Sequence, residues 1–237
     1  MKRFWMAVAL LAAGWAQAEK EPPADGEILR YSVNWPSGLP LGEGEFRAVK
    51  VVPEGEPTAG RWQFSMTLEA GLPGFEISDQ YRSVASPDLC SIEFEKHLRH
   101  GKRKADERTV FDADRGAATR QTLGGGGKSQ LTIPPCPKDG LAFLYFLRRE
   151  LSRGRLPGPQ TVFFGAPYQI RLEYGGRQMV RIHEERLEAD RVVASVTGKA
   201  SQVTFELFFS TDRARTPLLI RAPFPLGSFT MELLREP

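Results

Sequence analysis

The sequence predicts a mainly β protein, an antiparallel curved sheet that forms a barrel or half-barrel around one buried helix. Three observations support this prediction. Apolar residues alternate with polar ones in several short segments, which is the period of a half-buried strand. Glycine- and proline-containing turns separate these segments about every 10 to 15 residues. One segment, at about 137–151, instead carries an unbroken apolar run with helix signals at both ends.

The chain opens with the pattern of a secretory signal peptide. Lys2 and Arg3 are followed by an apolar run at 4–15 and by an Ala-Gln-Ala cleavage site that ends at Ala18. The apolar run is too short to cross a bilayer as a helix. We therefore expect the signal peptide, residues 1–18, to be cleaved after Ala18. The mature protein is then periplasmic or secreted, with no transmembrane span.

The charge of the mature chain argues against a nucleic-acid partner. Loss of Lys2 and Arg3 lowers the number of basic residues from 32 to 30, against 29 acidic residues. The net charge falls from +3 to +1, which leaves no strong attraction to a phosphate backbone. The remaining 219 of the 237 residues are enough for one large β domain with its own core.

We expect a flexible leader at 19–26, followed by a single β-barrel-like domain at 27–237. The leader is polar and contains two prolines. Beyond it, apolar residues stand at every second position in five segments, a spacing that places them on one face of a strand. These segments are Leu29–Trp35, Trp62–Leu68, Tyr168–Tyr174, Val203–Phe209 and Phe229–Leu233.

The segment at 137–151 is the one strongly helical part of the mature chain. Pro137 suits a first-turn position, and Asp139 places negative charge at the positive end of the helix dipole. Every residue from Leu141 to Leu147 is apolar, so the helix should be buried on most sides. Gly154 is a stop signal. A helix of about 15 residues is roughly 22 Å long, and we expect it to fill the mouth of the curved sheet.

The two cysteines, Cys90 and Cys136, both lie in the mature chain. In an exported protein an isolated pair favours a disulfide over a metal site. The alternative is two unpaired thiols. The three histidines, at 97, 100 and 183, do not have the spacing of zinc ligands, so we expect neither a metal nor a cofactor.

No motif in the sequence predicts catalysis. Gly124–Ser129 has the look of a phosphate-binding loop, but that pattern requires a glycine where Thr122 stands, and we favour a hairpin tip. A nucleophile elbow and a reactive-cysteine context are both lacking. Lys102, Arg103 and Lys104 form a basic turn, which either blunts a sheet edge in solvent or contacts anionic headgroups.

The candidate ligand-binding residues are aromatic and polar side chains on the predicted strands and helix. Tyr81 and Arg82 on a strand could bind a polar headgroup, as could Tyr145 and Arg148, which share one helix face. Alternatively, Tyr145 belongs to the core and Arg148 is a cation at the helix end. The full set of candidates is Trp62, Phe64, Tyr81, Arg82, Tyr145, Arg148, Tyr168 and Phe205.

Three stretches of the chain carry a family resemblance. They are Asp79–Leu89, Asp139 with Leu144–Arg148, and Phe208–Leu218 followed by Gly227. With these residues the chain resembles the domain of unknown function 3108 family of uncharacterised exported bacterial proteins, from about Glu27 to its end. The resemblance implies a signal peptide, a β-rich curved sheet and an envelope location. It implies no reaction and no catalytic residues.

The function we expect is non-enzymatic: binding or chaperoning a hydrophobic or amphipathic component of the cell envelope, with a lipid as a possible partner. An apolar helix across a wide sheet leaves either a packed core or a lined cavity. The alternatives are a structural or interaction protein with a filled barrel and, less favoured, a hydrolase of an envelope polymer. The oligomeric state is not indicated by the sequence.

Overall fold

The computed structural model describes residues 21–35, 37–52, 60–72, 74–199, 201–224 and 227–235. The predicted signal peptide and the first two leader residues lie outside this part of the chain. The strands are β1 (Glu27–Asn34), β2 (Pro40–Val51), β3 (Arg61–Leu72), β4 (Phe75–Ala85), β5 (Ser91–His100), β6 (Arg103–Asp112), β7 (Ala117–Thr122), β8 (Lys128–Thr132), β9 (Lys138–Asp139), β10 (Gln160–Phe163), β11 (Pro167–Ile182), β12 (Glu185–Thr197), β13 (Gln202–Ser210), β14 (Pro217–Phe224) and β15 (Gly227–Leu233), and the helix is α1 (Gly140–Ser152).

All the described strands belong to one sheet. Its order runs from β8 down to β1, then from β15 down to β9. Neighbouring strands are antiparallel, except that β9 and β10 are parallel. The first and last strands pair with each other in the middle of the sheet. The chain is therefore an antiparallel meander whose first and last strands are neighbours. The predicted mainly β class with one helix is confirmed.

The sheet curves until strands that are far apart in its order come into contact. The rings of Phe111 on β6 and Phe163 on β10 are 5.6 Å apart. Arg120 on β7 donates a hydrogen bond of 2.7 Å to the carbonyl of Gly165, which follows β10. The edge strands β8 and β9 do not pair with each other in the described ladder, so the sheet is a large half-barrel that is not closed.

The meander gives the half-barrel two distinct ends. One end carries the turns at 86–90 and 211–216, and α1 lies across it. There Arg149 donates to the carbonyls of Pro87 and Asp88. The opposite end carries the turns at 101–102 and 164–166 and the connection from β12 to β13. We call these the helix end and the open end.

The helix begins later than the sequence predicted. Pro137 is not in its first turn, because Lys138 and Asp139 first pair with β10, and α1 starts at Gly140. Asp139 is the N-cap: its side chain accepts hydrogen bonds from the N–H groups of Leu141 and Ala142, at 2.9 and 3.1 Å. At the other end, Gly154 adopts a φ of +71° after the last turn, as the stop signal predicted.

A buried polar network fixes the start of the helix to the sheet. The second carboxylate oxygen of Asp139 accepts hydrogen bonds of 2.6 Å from the hydroxyls of Ser83 and Ser91. Burial raises the pKa of Asp139, and these hydrogen bonds oppose that rise. The predicted disulfide is confirmed beside this network: Cys90 and Cys136 are bonded, with their Cα atoms 4.8 Å apart.

A second buried carboxylate connects β12 to β11 and to the turn between β13 and β14. Asp190 on β12 is only 5% exposed. It accepts hydrogen bonds from Tyr174, Arg177 and Arg215. Burial opposes the ionisation of Asp190, and these three donors outweigh it, so its pKa lies below its ordinary value.

The described part of the predicted leader, residues 21–26, contacts the half-barrel. Glu21 pairs with Arg153 just after α1, and Pro22 is buried. The carboxylate of Asp25 accepts a hydrogen bond of 2.7 Å from the N–H of Lys50 on β2. These contacts connect the start of the described chain to both the helix and the sheet.

Candidate functional site

A cavity of about 490 Å³ lies between α1 and the sheet and is partly open to solvent. We call it the larger cavity. It lies on the open-end side of the helix, because its lining includes Phe164, between β10 and β11, and Ser201, just before β13. Its lining residues are Phe46, Met66, Tyr81, Gly140, Leu141, Phe143, Leu144, Leu147, Val162, Phe164, Tyr168, Ile170, Ala194, Val196, Ser201, Val203, Phe205, Leu207 and Ile220.

The lining of the larger cavity is almost entirely hydrocarbon. Ser201 and the tyrosines Tyr81 and Tyr168 are the lining residues with polar side chains, and the set includes no charged residue. The helix residues Leu141 and Leu147 are buried, whereas strand residues such as Val203 and Phe205 remain half-exposed. The cavity therefore suits an apolar group that enters from solvent.

Strand alternation explains how the half-exposed wall arises. On β13, Val203, Phe205 and Leu207 point into the cavity, while Thr204 and Glu206 point outward. Glu206 ion-pairs with Arg191 and Arg221 on that outer face. The same strand thus has a charged outer face and an apolar inner face that is not filled by neighbouring side chains.

Three of the eight predicted ligand-binding residues line the larger cavity: Tyr81, Tyr168 and Phe205. They come from strands in both halves of the sheet. The ring of Tyr81 contacts that of Phe164 in a tilted arrangement, with the ring centroids 5.1 Å apart. This contact joins β4 to the turn after β10 and forms one wall of the cavity.

Three further candidates form a packed aromatic layer under the helix instead. The rings of Trp62 and Phe64 are 6.0 Å apart, and Phe64 stacks on Tyr145 at 4.3 Å. Trp62 is 6% exposed and the other two are fully buried. None of the three lines the cavity, and the core role that we considered for Tyr145 is the one its position supports.

Arg148 is buried completely and directed away from the larger cavity. It forms a two-pronged ion pair with Glu27 at 2.6 and 2.7 Å and donates to the carbonyls of Ala214 and Arg215. Burial by itself would lower the pKa of Arg148, but the Glu27 carboxylate outweighs it and the pKa is raised. The guanidinium thus ties α1 to β1 and to the turn before β14.

Arg82 lies on the outer face of β4. Its guanidinium donates to the side-chain oxygen of Gln63 at 3.0 Å in an exposed position. Because β4 alternates, the inward neighbours of Arg82 are Tyr81 and Ser83, and the larger cavity is on the other side of the strand from it. Tyr81 and Arg82 are consecutive in the sequence, so their side chains lie on opposite faces of the sheet and cannot share one binding site.

Sequence reasoning missed most of the lining residues. Leu144 and Phe143 were assigned only to a buried helix, and Phe164, Val196 and Ile220 were not singled out. Alternation could have identified Val203 and Leu207 along with Phe205, since all three share one face of β13. It could not have shown which inward side chains border empty space.

The described residues do not bring together the side chains of a metal site. No group of three histidine, cysteine, aspartate or glutamate side chains is placed to hold a metal ion within that part of the chain. Burial and the neighbouring Asp79 carboxylate raise the pKa of Tyr81, which keeps its hydroxyl protonated.

Across the residues that the structure describes, no helix has the length and apolar character needed to cross a bilayer.

Comparison with a solved structure supports the architecture. The fold is similar to the crystal structure of a beta-barrel-like protein of the domain of unknown function DUF1849 from Brucella abortus. The two share 9% sequence identity with a TM-score of 0.56, over 88% of this chain and 95% of that one. At this identity the likeness concerns the fold alone.

Comparison of sequences identifies the family. No curated protein sequence matches this chain. A family of proteins of unknown function, DUF3108, matches residues 30–234, which is nearly the whole described half-barrel. The resemblance in the three stretches noted above is thereby confirmed, and this chain belongs to the DUF3108 family.

Proposed function

We propose that this protein is an exported, non-enzymatic carrier that binds the hydrocarbon part of a hydrophobic or amphipathic envelope component in the larger cavity. The observation that carries the proposal is the cavity of about 490 Å³ with an apolar, partly exposed lining. The signal-peptide pattern at 1–18 supports a periplasmic or secreted location for this role.

The physical basis is the cost of leaving this surface in water. Apolar surface removed from water contributes roughly 25 cal/mol per Å². Val203, Phe205 and Leu207 are half-exposed, and an aliphatic ligand would cover them without displacing any charged group. The preformed space also spares the protein most of the cost of opening a site.

The alternatives fit the geometry less well. A filled barrel would have side chains packed across the space that the larger cavity leaves. A polymer hydrolase of the glycosidase type would need two carboxylates about 5 to 10 Å apart in a groove. The lining of the larger cavity includes no aspartate or glutamate.

Filling the cavity tests the proposal directly. Ala194 lies on its wall and is 5% exposed, so Ala194→Trp should occupy the space. Thr204→Trp is the matched control, because Thr204 is exposed on the outer face of the adjacent strand β13. Binding of a fluorescent fatty acid to each purified mature variant would be measured, with circular dichroism and melting temperature to confirm folding.

We expect Ala194→Trp to weaken binding at least tenfold and Thr204→Trp to leave it unchanged. Native mass spectrometry of wild-type protein from its own envelope should show an associated lipid-sized mass that Ala194→Trp lacks. Equal binding by a folded Ala194→Trp variant and the wild type would refute carriage in this cavity. N-terminal sequencing should begin at Glu19, and a chain that retains Met1 would contradict export with cleavage.

A further inference from the structure

A second, smaller cavity of about 230 Å³ opens at the open end of the half-barrel. We call it the rim cavity. Most of its lining is apolar. On β2, β3, β4 and β14, which also border the larger cavity, its lining residues lie two or more positions further towards the open end. On β3, for example, Met66 lines the larger cavity, whereas Leu68 and Ala70 line the rim cavity. Nothing in the proposed carrier role uses this space.

The rim cavity has one polar wall, formed by Asp79 and His100. Asp79 is 4% exposed. The Nε2 atom of His100 lies 2.9 and 3.0 Å from its two carboxylate oxygens, and the hydroxyl of Tyr81 donates to it at 3.1 Å. The acid group in the wall is thus already hydrogen-bonded by protein groups. The remaining lining side chains are apolar and suit a hydrocarbon chain.

A basic turn stands directly at this wall. His100 is the last residue of β5, and its partner across the hairpin is Arg103 on β6. Lys102, Arg103 and Lys104 are all exposed. Phe75, itself 40% exposed, lies against Gly101 at the same edge.

Charges around the turn leave a positive excess. Arg99 is neutralised by Asp106, with which it forms two hydrogen bonds. The exposed Glu76 on the neighbouring strand and the buried Asp79 carboxylate in the cavity wall offset two cations. The three exposed basic residues of the turn outnumber them. An apolar cavity edged by cations is complementary to a molecule with one aliphatic chain and an anionic head.

We propose that the rim cavity is a second, independent binding site for a single-chain anionic amphiphile. Its chain lies between Leu68, Ala70 and Met231, and its head binds the basic turn at 102–104. The site does not require the larger cavity to be occupied. It adds a charge preference that the larger cavity, with no charged lining residue, does not provide.

A tryptophan in contact with the rim cavity makes the proposal measurable. Trp5 and Trp15 lie in the predicted signal peptide, so the mature chain keeps only Trp35 and Trp62. Trp35 contacts Phe229, a lining residue, with ring centroids 5.1 Å apart. In a Trp62→Phe background, a bromine-tagged decanoate bound in the rim cavity should quench Trp35 fluorescence in a saturable manner.

One matched pair of variants and one double variant test where the chain and the head of the ligand bind. Ala70→Phe fills the rim cavity, and Glu69→Phe places the same ring on the exposed outer face of β3. Lys102→Glu with Lys104→Glu reverses the turn charge at exposed positions, where folding is not at risk. Bromine-tagged decanol, which has the same chain and no charge, separates chain burial from head recognition.

We expect Ala70→Phe to abolish saturable quenching and Glu69→Phe to preserve it. The charge reversal should weaken decanoate binding about tenfold while leaving decanol binding unchanged. Absence of saturable quenching in the Trp62→Phe protein, or equal quenching by folded Ala70→Phe and Glu69→Phe, would overturn the proposal. So would a charge reversal that leaves decanoate binding unaltered. Ala194→Phe, which narrows the larger cavity without adding a tryptophan, should not affect Trp35 quenching, so a failure of the larger cavity as a carrier site remains distinguishable from a failure here.

Discussion

Replacing Arg148 with methionine should remove the buried ion pair that connects the helix to β1. Methionine keeps the apolar stem and removes the guanidinium. Glu27, whose side chain is 12% exposed, then loses its cation, and the carbonyls of Ala214 and Arg215 lose their donor. Breaking a buried ion pair from one side costs about 3 to 5 kcal/mol, because the other charge stays buried and unpaired.

For a domain of this length a loss of about 4 kcal/mol corresponds to a fall in melting temperature of roughly 10 °C. The matched control is Arg155→Met. Arg155 also forms a two-pronged pair with a glutamate, Glu150, at 2.8 and 2.9 Å, but its side chain is 57% exposed. An exposed pair contributes at most about 1 kcal/mol, so this variant should be close to wild type.

Urea unfolding of the purified mature variants, followed by circular dichroism, measures both free energies. The double variant Glu27→Met with Arg148→Met should lose less than the sum of the two single changes, since no lone charge remains buried. The reasoning fails if Arg148→Met costs no more than Arg155→Met. It also fails if the two single losses at Glu27 and Arg148 are simply additive.

Three further predictions concern the disulfide and the buried carboxylates Asp139 and Asp190. Titration of the unreduced, denatured chain should find no free thiol, and loss of the Cys90–Cys136 bond should cost about 4 kcal/mol for a separation of 46 residues on the chain-entropy model; two titratable thiols would contradict the bond. Asp139→Ala should lose about 3 kcal/mol of unfolding free energy, because the helix cap and the acceptor of two buried hydroxyls both disappear. Asp139→Asn, which keeps a side-chain oxygen for the cap, should lose less, and equal losses would argue against the cap. Because the pKa of Asp190 is lowered, its stabilisation is complete above its ordinary pKa of 3.8 and is lost as the pH falls through the lowered value. The stability difference between wild type and Asp190→Asn, measured by urea unfolding across this range, should therefore shrink as the pH falls, and a constant difference would refute the assignment.

Local patterns in the sequence were sufficient for the class of fold. Period-two alternation in segments such as Trp62–Leu68 and Val203–Phe209 reports which side chains share one face of a strand, and that property depends only on backbone geometry. The apolar run at 141–147 identified the buried helix for the same kind of reason. The cysteine pair followed from its number and its expected compartment.

The position of charged groups depended on the tertiary structure. Arg148 and Glu27 are separated by 121 residues, and no local pattern connects them. The helix starts at Gly140 rather than Pro137 because β9 pairs with β10 and because Asp139 accepts hydrogen bonds from two serines. Both β10 and the serines lie far from the helix start in the sequence, so no local pattern indicates these contacts.

The cavities likewise depended on the tertiary structure. Alternation shows that Phe64 and Phe205 both point inward, yet Phe64 packs against Tyr145 whereas Phe205 borders open space. Which of these happens depends on the volume supplied by side chains across the half-barrel. Since that volume is a sum over β2, β3, β4, α1 and β10–β14, it is decided only when the sheet has curved around the helix.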